Sequence, residues 1–378
     1  MKKVYVDVTY MSKLNFISGI QRVVLEVVKR FEKDDDIELI LLKYNKKMNE
    51  FGRMSKLRIP GASEKIKVSP YSFDNIQAGD IWFEIDSVWP EMPKRRVLYE
   101  ELKKKGVKII PFIQDILLIT DPQFFIKNAP LDFTGFTGAC IAYADKIIVT
   151  TQATKDSMLE VAKQTGIKMP EICVVPLGND FKSEEKTNAA SKVDKDVVEF
   201  VKKHPKYVLM VGTVEPRKNQ KIVIEAFEKQ LFDEGLTLVM AGRNGWSNSA
   251  LMELIEKSKK TRDNYAFFEG RSNEVINYLY ENARILAFPS FAEGYGLPVV
   301  EALGRKVVVV ASDRPIFHEI GGEGCMYCDP EDVDAWVKTL KKLMTDDKAY
   351  KGLKNKLKDY HVVSWDETAN NLKNIILS

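Results

Sequence analysis

The chain has few of the side chains that build metal sites and disulfide frameworks: its 378 residues include four cysteines and three histidines. Four cysteines in a chain this long do not make a disulfide scaffold. Cys325-Met-Tyr-Cys328 has the spacing of a redox or half-zinc motif, but there is no second pair to complete a site, so a buried strand is the expectation there. His318-Glu319 lacks the second histidine of a zinc-protease helix, and Asp194-Lys-Asp196, in a polar, lysine-rich segment, reads as linker. No metal and no cofactor are expected. No apolar run reaches the roughly 18–20 residues of a membrane-spanning helix. The start, Met-Lys-Lys-Val-Tyr-Val-Asp, turns polar too soon for a secretory signal, which predicts a cytoplasmic protein. The net charge of +3 is small for this length and argues against a dedicated nucleic-acid binder.

With 45% hydrophobic and 29% charged residues, the composition is that of a globular protein. The length exceeds the roughly 250–300 residues of one hydrophobic core, which predicts two domains. Short apolar runs at Lys3–Val8, Ile37–Leu42, Asp80–Ile85, Val107–Ile113, Lys146–Thr150 and Ile172–Pro176 alternate with helical patterns at Ile20–Phe31, Arg95–Lys105, Asp132–Ala144 and Gln152–Gln164. Such alternation predicts a parallel sheet covered on both faces. Lys182–Lys195 is polar and marks a boundary, after which the alternation restarts with strands at Tyr207–Val211, Leu236–Ala241, Tyr265–Phe268, Arg284–Phe288 and Lys306–Ala311. The helices interleaved with them are Gln220–Leu231, Ser249–Lys259, Glu274–Ala283 and Pro298–Leu303, and tail helices follow at Val333–Thr345, Ala349–Asp359 and after Trp365. The expected architecture is α/β: two Rossmann-like, doubly wound domains facing across a cleft, with ligands at the carboxyl ends of the strands. The first spans 1–185 and is completed by 365–378; the second spans 196–364.

Three strand ends in the second domain concentrate the chemistry. Gly212-Thr213-Val-Glu-Pro-Arg217-Lys218 follows a strand and opens a helix, and an adjacent Arg and Lys can neutralise a diphosphate. Gly242-Arg-Asn-Gly-Trp246 and Glu269-Gly-Arg271 end the next two strands and are candidates to line base and ribose pockets. In Glu293-Gly-Tyr-Gly296-Leu297-Pro298-Val-Val-Glu301 a glycine turn meets a helix start, which places amides and a helix dipole where an anion would sit. Glu293 and Glu301 flank that position as acceptors for sugar hydroxyls. In the first domain Gly19 opens a helix after a loop, a weaker phosphate signal. Cationic runs at Lys43–Lys67 and Lys94–Lys105 are either solvated faces or a surface for anionic lipid or a phosphate-linked acceptor.

On Gly212-Thr-Val-Glu-Pro-Arg217-Lys218-Asn219, Ala241-Gly242, Phe268-Glu-Gly270, Pro289-Ser290 through Glu293 and Glu301, and Asp329-Pro330, the second domain resembles glycosyltransferase family 4, the retaining GT-B transferases. Ser18-Gly-Ile-Gln-Arg22, Gln114-Asp115 and Val174-Val-Pro-Leu-Gly178 resemble its bacterial polysaccharide and O-antigen mannosyltransferase branch. The family often has a His where Gln114 stands. The resemblance implies that Arg217 and Lys218 hold the donor diphosphate, Glu301 the ribose and Glu293 the donor sugar. It further implies that Gly296 and Leu297 give amides, that Gly19 closes over the phosphates, and that the last helix crosses back to the first domain. Gly212, Thr213, Gly242 and Arg271 complete the expected donor site, and Tyr10, Arg22, Trp89 and Asp115 are the acceptor-side candidates. The expected partners are a nucleotide-diphosphate sugar, with GDP-mannose first and UDP-glucose, UDP-GlcNAc or a dTDP-sugar as alternatives, and a saccharide or lipid-linked acceptor. An anionic membrane surface is a further expected partner, met peripherally on its inner face; nucleic acid is not. A nucleotide-sugar epimerase and a silent binding subunit are the competing classes.

Overall fold

The computed structural model describes residues 1–15, 17–60, 63, 65–127, 129–179 and 193–378. Most of the polar boundary segment Lys182–Lys195 lies outside them. Two units are present, Met1–Gly178 with Val363–Ser378, and Asn179–Val362.

The first unit is an eight-stranded sheet of β1 (Lys2–Asp7), β2 (Ile37–Asn45), β3 (Glu50–Met54), β4 (Val68–Pro70), β5 (Ile81–Glu84), β6 (Lys108–Ile113), β7 (Lys146–Val149) and β8 (Glu171–Val174), in the order β4-β3-β2-β1-β5-β6-β7-β8. Its inner strands are near-continuous apolar runs because helices cover both faces: α1 (Gly19–Phe31), α2 (Arg95–Lys104), α3 (Leu117–Thr120), α4 (Ala129–Tyr143) and α5 (Gln152–Thr165). The sheet is not parallel throughout, as the alternation had implied. β3 and β4 run antiparallel at one edge, β3 inside the cationic Lys43–Lys67 stretch and β4 directly after it. Their sequences carry too little apolar periodicity to announce strands, and Arg53, Pro70 and the flanking Lys56 and Lys67 suit an edge that must not pair further.

The second unit is a wholly parallel sheet of β9 (Tyr207–Val211), β10 (Thr237–Gly242), β11 (Tyr265–Glu269), β12 (Ile285–Phe288), β13 (Val308–Ser312) and β14 (Cys325–Cys328). Its order is β11-β10-β9-β12-β13-β14, so the chain reverses its direction of travel across the sheet between β9 and β12. That reversal opens a crevice at the strands' carboxyl ends. The helices are α6 (Lys195–Lys203), α7 (Gln220–Ala226, continued by a π turn through Leu231), α8 (Ser249–Thr261), α9 (Asn273–Asn282), α10 (Leu297–Gly304), α11 (Pro315–Gly321), α12 (Val333–Thr345) and α13 (Asp347–Lys356). Cys325 and Cys328 are buried at the two ends of β14, as a strand reading requires. Asp194-Lys-Asp196 is not linker: it opens α6, whose Val197 and Val201, four residues apart, are buried.

The chain returns to the first unit with α14 (Trp365–Leu377), started by a capping box of Ser364 and Glu367. Trp365, Leu372 and Ile376 are buried, and Lys373 pairs with Asp34 at 2.7 Å. Among the described residues no helix is long and apolar enough to cross a membrane.

Candidate active site

The loops that follow β9 and β12 face each other at the point where the strand order reverses, and both were singled out by their sequence. After β9, Pro216-Arg217-Lys218 forms a single 3-10 turn, and Asn219 then takes a left-handed conformation (φ 50°) that starts α7. Asn219 is anchored by its side-chain amide, which donates to the Pro330 carbonyl at 2.7 Å. After β12, the Phe291 amide donates to the Arg217 carbonyl at 2.9 Å, and the Arg217 guanidinium donates to the Ala292 carbonyl at 2.6 Å. The two loops are therefore sewn together before any ionic contact is counted.

The ionic contacts centre on Glu293. Its carboxylate meets Lys218 Nζ at 2.6 Å and Arg217 Nη1 at 2.8 Å, and Arg217 Nη2 meets Glu215 at 2.6 Å. All four side chains are largely buried, between 3% and 13% exposed. Burial pushes the Glu293 acid upward, but the Arg217 and Lys218 charges outweigh it and hold the group at about 2. Burial also lowers Lys218, against the pull of Glu293, and raises Glu215 despite its two cationic neighbours. The Lys218 ammonium further sits 4.9 Å from the centre of the Phe288 ring, a cation–π distance. Arg217 and Lys218 are thus not two uncommitted cations, as their sequence suggests. Glu293 is their shared counter-ion, and an incoming anion must share or take over that place.

A recess beside Lys218 is lined by Gly212, Gln220, Met240, Ala241, Phe288 and Ser290. Ser290 is fully buried, and Gln220 donates to the Thr213 carbonyl at 2.7 Å; among the described residues neither the Ser290 hydroxyl nor Gln220 Oε1 finds a partner. The walls of the recess leave no room for larger residues. A Cβ on Gly242 would stand 1.9 Å from the Gly212 carbonyl oxygen, so the ends of β9 and β10 approach this closely only because residue 242 has no side chain. Gly296 occupies the N-cap position of α10 at φ 89°, a conformation that costs an L-residue about 1–2 kcal/mol. Leu297 and Pro298 form the first turn of α10, and Glu301 lies one turn further along it.

The structure gives Arg271 a different setting from the nucleotide pocket expected of it. Asp194 and Asp196 grip its guanidinium, Asp196 at 2.6 Å, so it fastens the end of β11 to α6. In the first unit Tyr10, Trp89 and Asp115 follow β1, β5 and β6 and share the carboxyl edge of that sheet, while Gly19 is the first residue of α1 and Arg22 lies in its opening turn. Asp115 accepts from the Leu117 amide at 3.0 Å, and Trp89 packs edge-on against Phe133. Glu215 and Ser290 sit in the motifs and Gln220 directly after the first of them, yet residue type alone announces neither a buried counter-ion nor a buried polar group without a partner. A second buried cluster also went unread: Arg95 on α2 pairs with Asp7 and Glu84, at the ends of β1 and β5, where this sheet reverses. One acid at the end of each of two strands, and an Arg in the short cationic run Lys94-Arg95-Arg96, gave no sign of it.

Residues 192–360 match the family model described as Glycosyl transferases group 1. The chain is 24% identical over 341 residues to the serotype-specific mannosyltransferase WbdA of Escherichia coli, an alignment covering 87% of this chain and 40% of that protein. It is 35% identical over 144 residues, 37% of each chain, to the O-antigen chain mannosyltransferase B of Escherichia coli. The chain thus spans less than half the length of these curated relatives. Sucrose-phosphate synthase from Thermosynechococcus elongatus superposes with a TM-score of 0.68 at 13% identity, covering 99% of this chain and 98% of the other. That likeness shows the fold, GT-B.

Proposed function

We propose that this chain, which carries a glycosyl transferases group 1 domain over residues 192–360, is a retaining glycosyltransferase. It moves a hexose from a nucleotide-diphosphate sugar to a saccharide or lipid-linked saccharide in cell-surface polysaccharide synthesis. GDP-mannose is the favoured donor, and its mannosyl group is in keeping with the names of the aligned relatives. The observation that carries this reading is the cluster of Arg217, Lys218 and Glu293 at the point where the second sheet reverses. Gly212, Thr213 and Gly242 surround the phosphates in this reading, the Gly296 and Leu297 amides reach the sugar or phosphate, and Glu301 accepts from the ribose. Gly19 stays with the phosphates and Tyr10, Arg22, Trp89 and Asp115 with the acceptor. Arg271 acts on the donor site indirectly, by holding the end of β11.

In the reaction the bond between the anomeric carbon and the β-phosphate oxygen breaks, and the acceptor oxygen bonds to the same face of that carbon. The acceptor proton passes to the departing phosphate. Negative charge grows on that phosphate, so prepositioned donors such as Lys218 and Arg217 lower the barrier. A carboxylate held at about 2 is ionised throughout the working range and cannot supply a proton. With both its oxygens bonded to cations, Glu293 is also a poor nucleophile, which favours front-face displacement over a glycosyl-enzyme. Its charge instead faces the positive sugar of the transition state. Mixing the protein with GDP-mannose and lipid-linked acceptor tests the reading: release of GDP that requires acceptor supports it, whereas conversion without acceptor points to an epimerase. Binding without turnover would identify a silent subunit, and covalent sugar trapped on Glu293 would refute the front-face route.

A further inference from the structure

The first unit holds a half-buried lysine whose charge nothing among the described residues answers. Lys43 lies near the end of β2, next to the antiparallel edge, with no ion pair and no side-chain hydrogen bond among those residues. The turn after β1 is clamped to β2 on both sides of it: the Val8 amide donates to the Leu42 carbonyl at 2.9 Å, and the Tyr44 amide to Thr9 Oγ1 at 2.7 Å. Arg58 is fastened to the same turn, its Nη1 donating to the carbonyls of Ser12 at 2.6 Å and Leu14 at 3.2 Å. Those carbonyls orient the guanidinium without neutralising it. Lys13, on that turn, is the third cation, and its partner is Glu91.

Lys43, Arg58 and Lys13 gather at this turn; Glu91 meets Lys13, while Asp7 and Asp86 accept the Thr9 and Met11 amides from inside it, and Asp7 is already paired with Arg95. Burial and the charges of Arg58 and Lys13 push the Lys43 ammonium below its ordinary range. Proteins seldom hold an uncompensated cation beside like charges in a partly dry place unless an anion from outside completes it. The fork of Arg58 and the point charge of Lys43 suit phosphate oxygens.

We infer that Lys43 and Arg58, with Lys13 beside them, form a phosphate-binding site at the carboxyl edge of the first sheet, and that it takes a phosphate borne by the acceptor. The assignment of that phosphate to the acceptor rests on the transferase reading; the site itself does not. The phosphate belongs either to a soluble sugar phosphate or to the headgroup of a lipid carrier.

The test is calorimetric titration of the full chain with inorganic phosphate at matched ionic strength. It is run in a Lys218→Met background, which silences the proposed donor-phosphate site, with and without Lys43→Met. Phosphate binding should persist in the Lys218→Met protein and weaken about tenfold or more on adding Lys43→Met, the loss of one charge-assisted contact. Because the charges that bear on Lys43 among the described residues, those of Arg58 and Lys13, repel it, Lys43→Met without phosphate should melt no lower than its parent. Arg58→Gln should weaken phosphate too, and unfolding scans show whether the Ser12–Leu14 turn survives it. A hexose 1-phosphate and phosphatidylcholine vesicles with or without phosphatidylglycerol then separate the two sources. A Lys43-dependent response in either arm supports the site. Phosphate binding that is absent from the Lys218→Met protein, or unchanged by Lys43→Met, overturns it. Failure of every nucleotide sugar to bind the wild-type protein would sink the transferase reading and leave the phosphate result standing.

Discussion

Replacing Glu293 by Gln should weaken the protein and strengthen its hold on diphosphate at the same time. The carboxylate lies 2.6 Å from Lys218 Nζ and 2.8 Å from Arg217 Nη1, and the amide is isosteric but carries no charge. Breaking a buried pair by removing one partner costs about 3–5 kcal/mol. The depression of Glu293 to about 2 from its ordinary 4.5 gives a matching figure of about 3 kcal/mol. For a unit of this size, about 3 kcal/mol lowers the melting temperature by roughly 6–12 °C. An inorganic pyrophosphate ion meets the opposite balance, since in the wild type it competes with Glu293 for Lys218 and in the variant it does not. Relief of one charge-assisted contact, about 1.5 kcal/mol, should tighten pyrophosphate about tenfold. Calorimetric titration and thermal unfolding with and without pyrophosphate read both effects, and pyrophosphate should recover much of the lost melting temperature. Pyrophosphate that binds the Gln variant no more tightly than wild type would show that Glu293 is not the counter-ion an incoming diphosphate displaces.

Stability should depend on pH in two windows. Glu293 is depressed, so its contribution is present above about pH 4.5 and is lost as pH falls toward about 2. Asp86, which burial raises to about 7 against the Met11 and Ser87 amides, contributes fully below its ordinary 3.8 and less as pH climbs through about 7. Urea melts from pH 3 to 8 should therefore show an optimum near about pH 4 from these two groups, between the unfolded values of the two carboxyls, with Glu293→Gln blunting the acid side and Asp86→Asn the neutral side. Gly242→Ala must drive a methyl to within 1.9 Å of the Gly212 carbonyl, so it should cost at least about 1–3 kcal/mol and loosen pyrophosphate together, seen in melts and titration. Arg95→Met strands Asp7 and Glu84 in the interior and should lower stability by about 3–5 kcal/mol in urea melts at pH 7.

How far the sequence could be read depends on which forces act locally. Strands buried on both faces declare themselves as short apolar runs, which is why β9, β10 and β12 were legible, whereas the order in which they pair, and so the reversal between β9 and β12, comes from the structure. Gly296 followed by Pro298 announced the start of α10, because the left-handed N-cap and the missing amide each need one residue type. The edge strands β3 and β4 did not, because they are short, β4 is exposed throughout, and their pairing runs outward from β2 to β3 to β4 through backbone contacts. Arg217, Lys218 and Glu293 could be named from their motifs, yet not the fact that they neutralise one another across 75 residues of chain. Lys43 was visible only as one lysine among many; that it has no ion pair among the described residues is a property of packing.

The most direct test of the account is acceptor-dependent transfer by the intact chain, followed by proton NMR of the anomeric linkage formed. With an α-linked nucleotide-sugar donor such as GDP-mannose and a lipid-linked oligosaccharide, the account predicts nucleoside diphosphate release only when acceptor is present. It also predicts an α-linked product and a rate at least about a hundredfold lower in Lys218→Met. An inverted linkage, or a Lys218→Met protein that turns over at the wild-type rate, would contradict it.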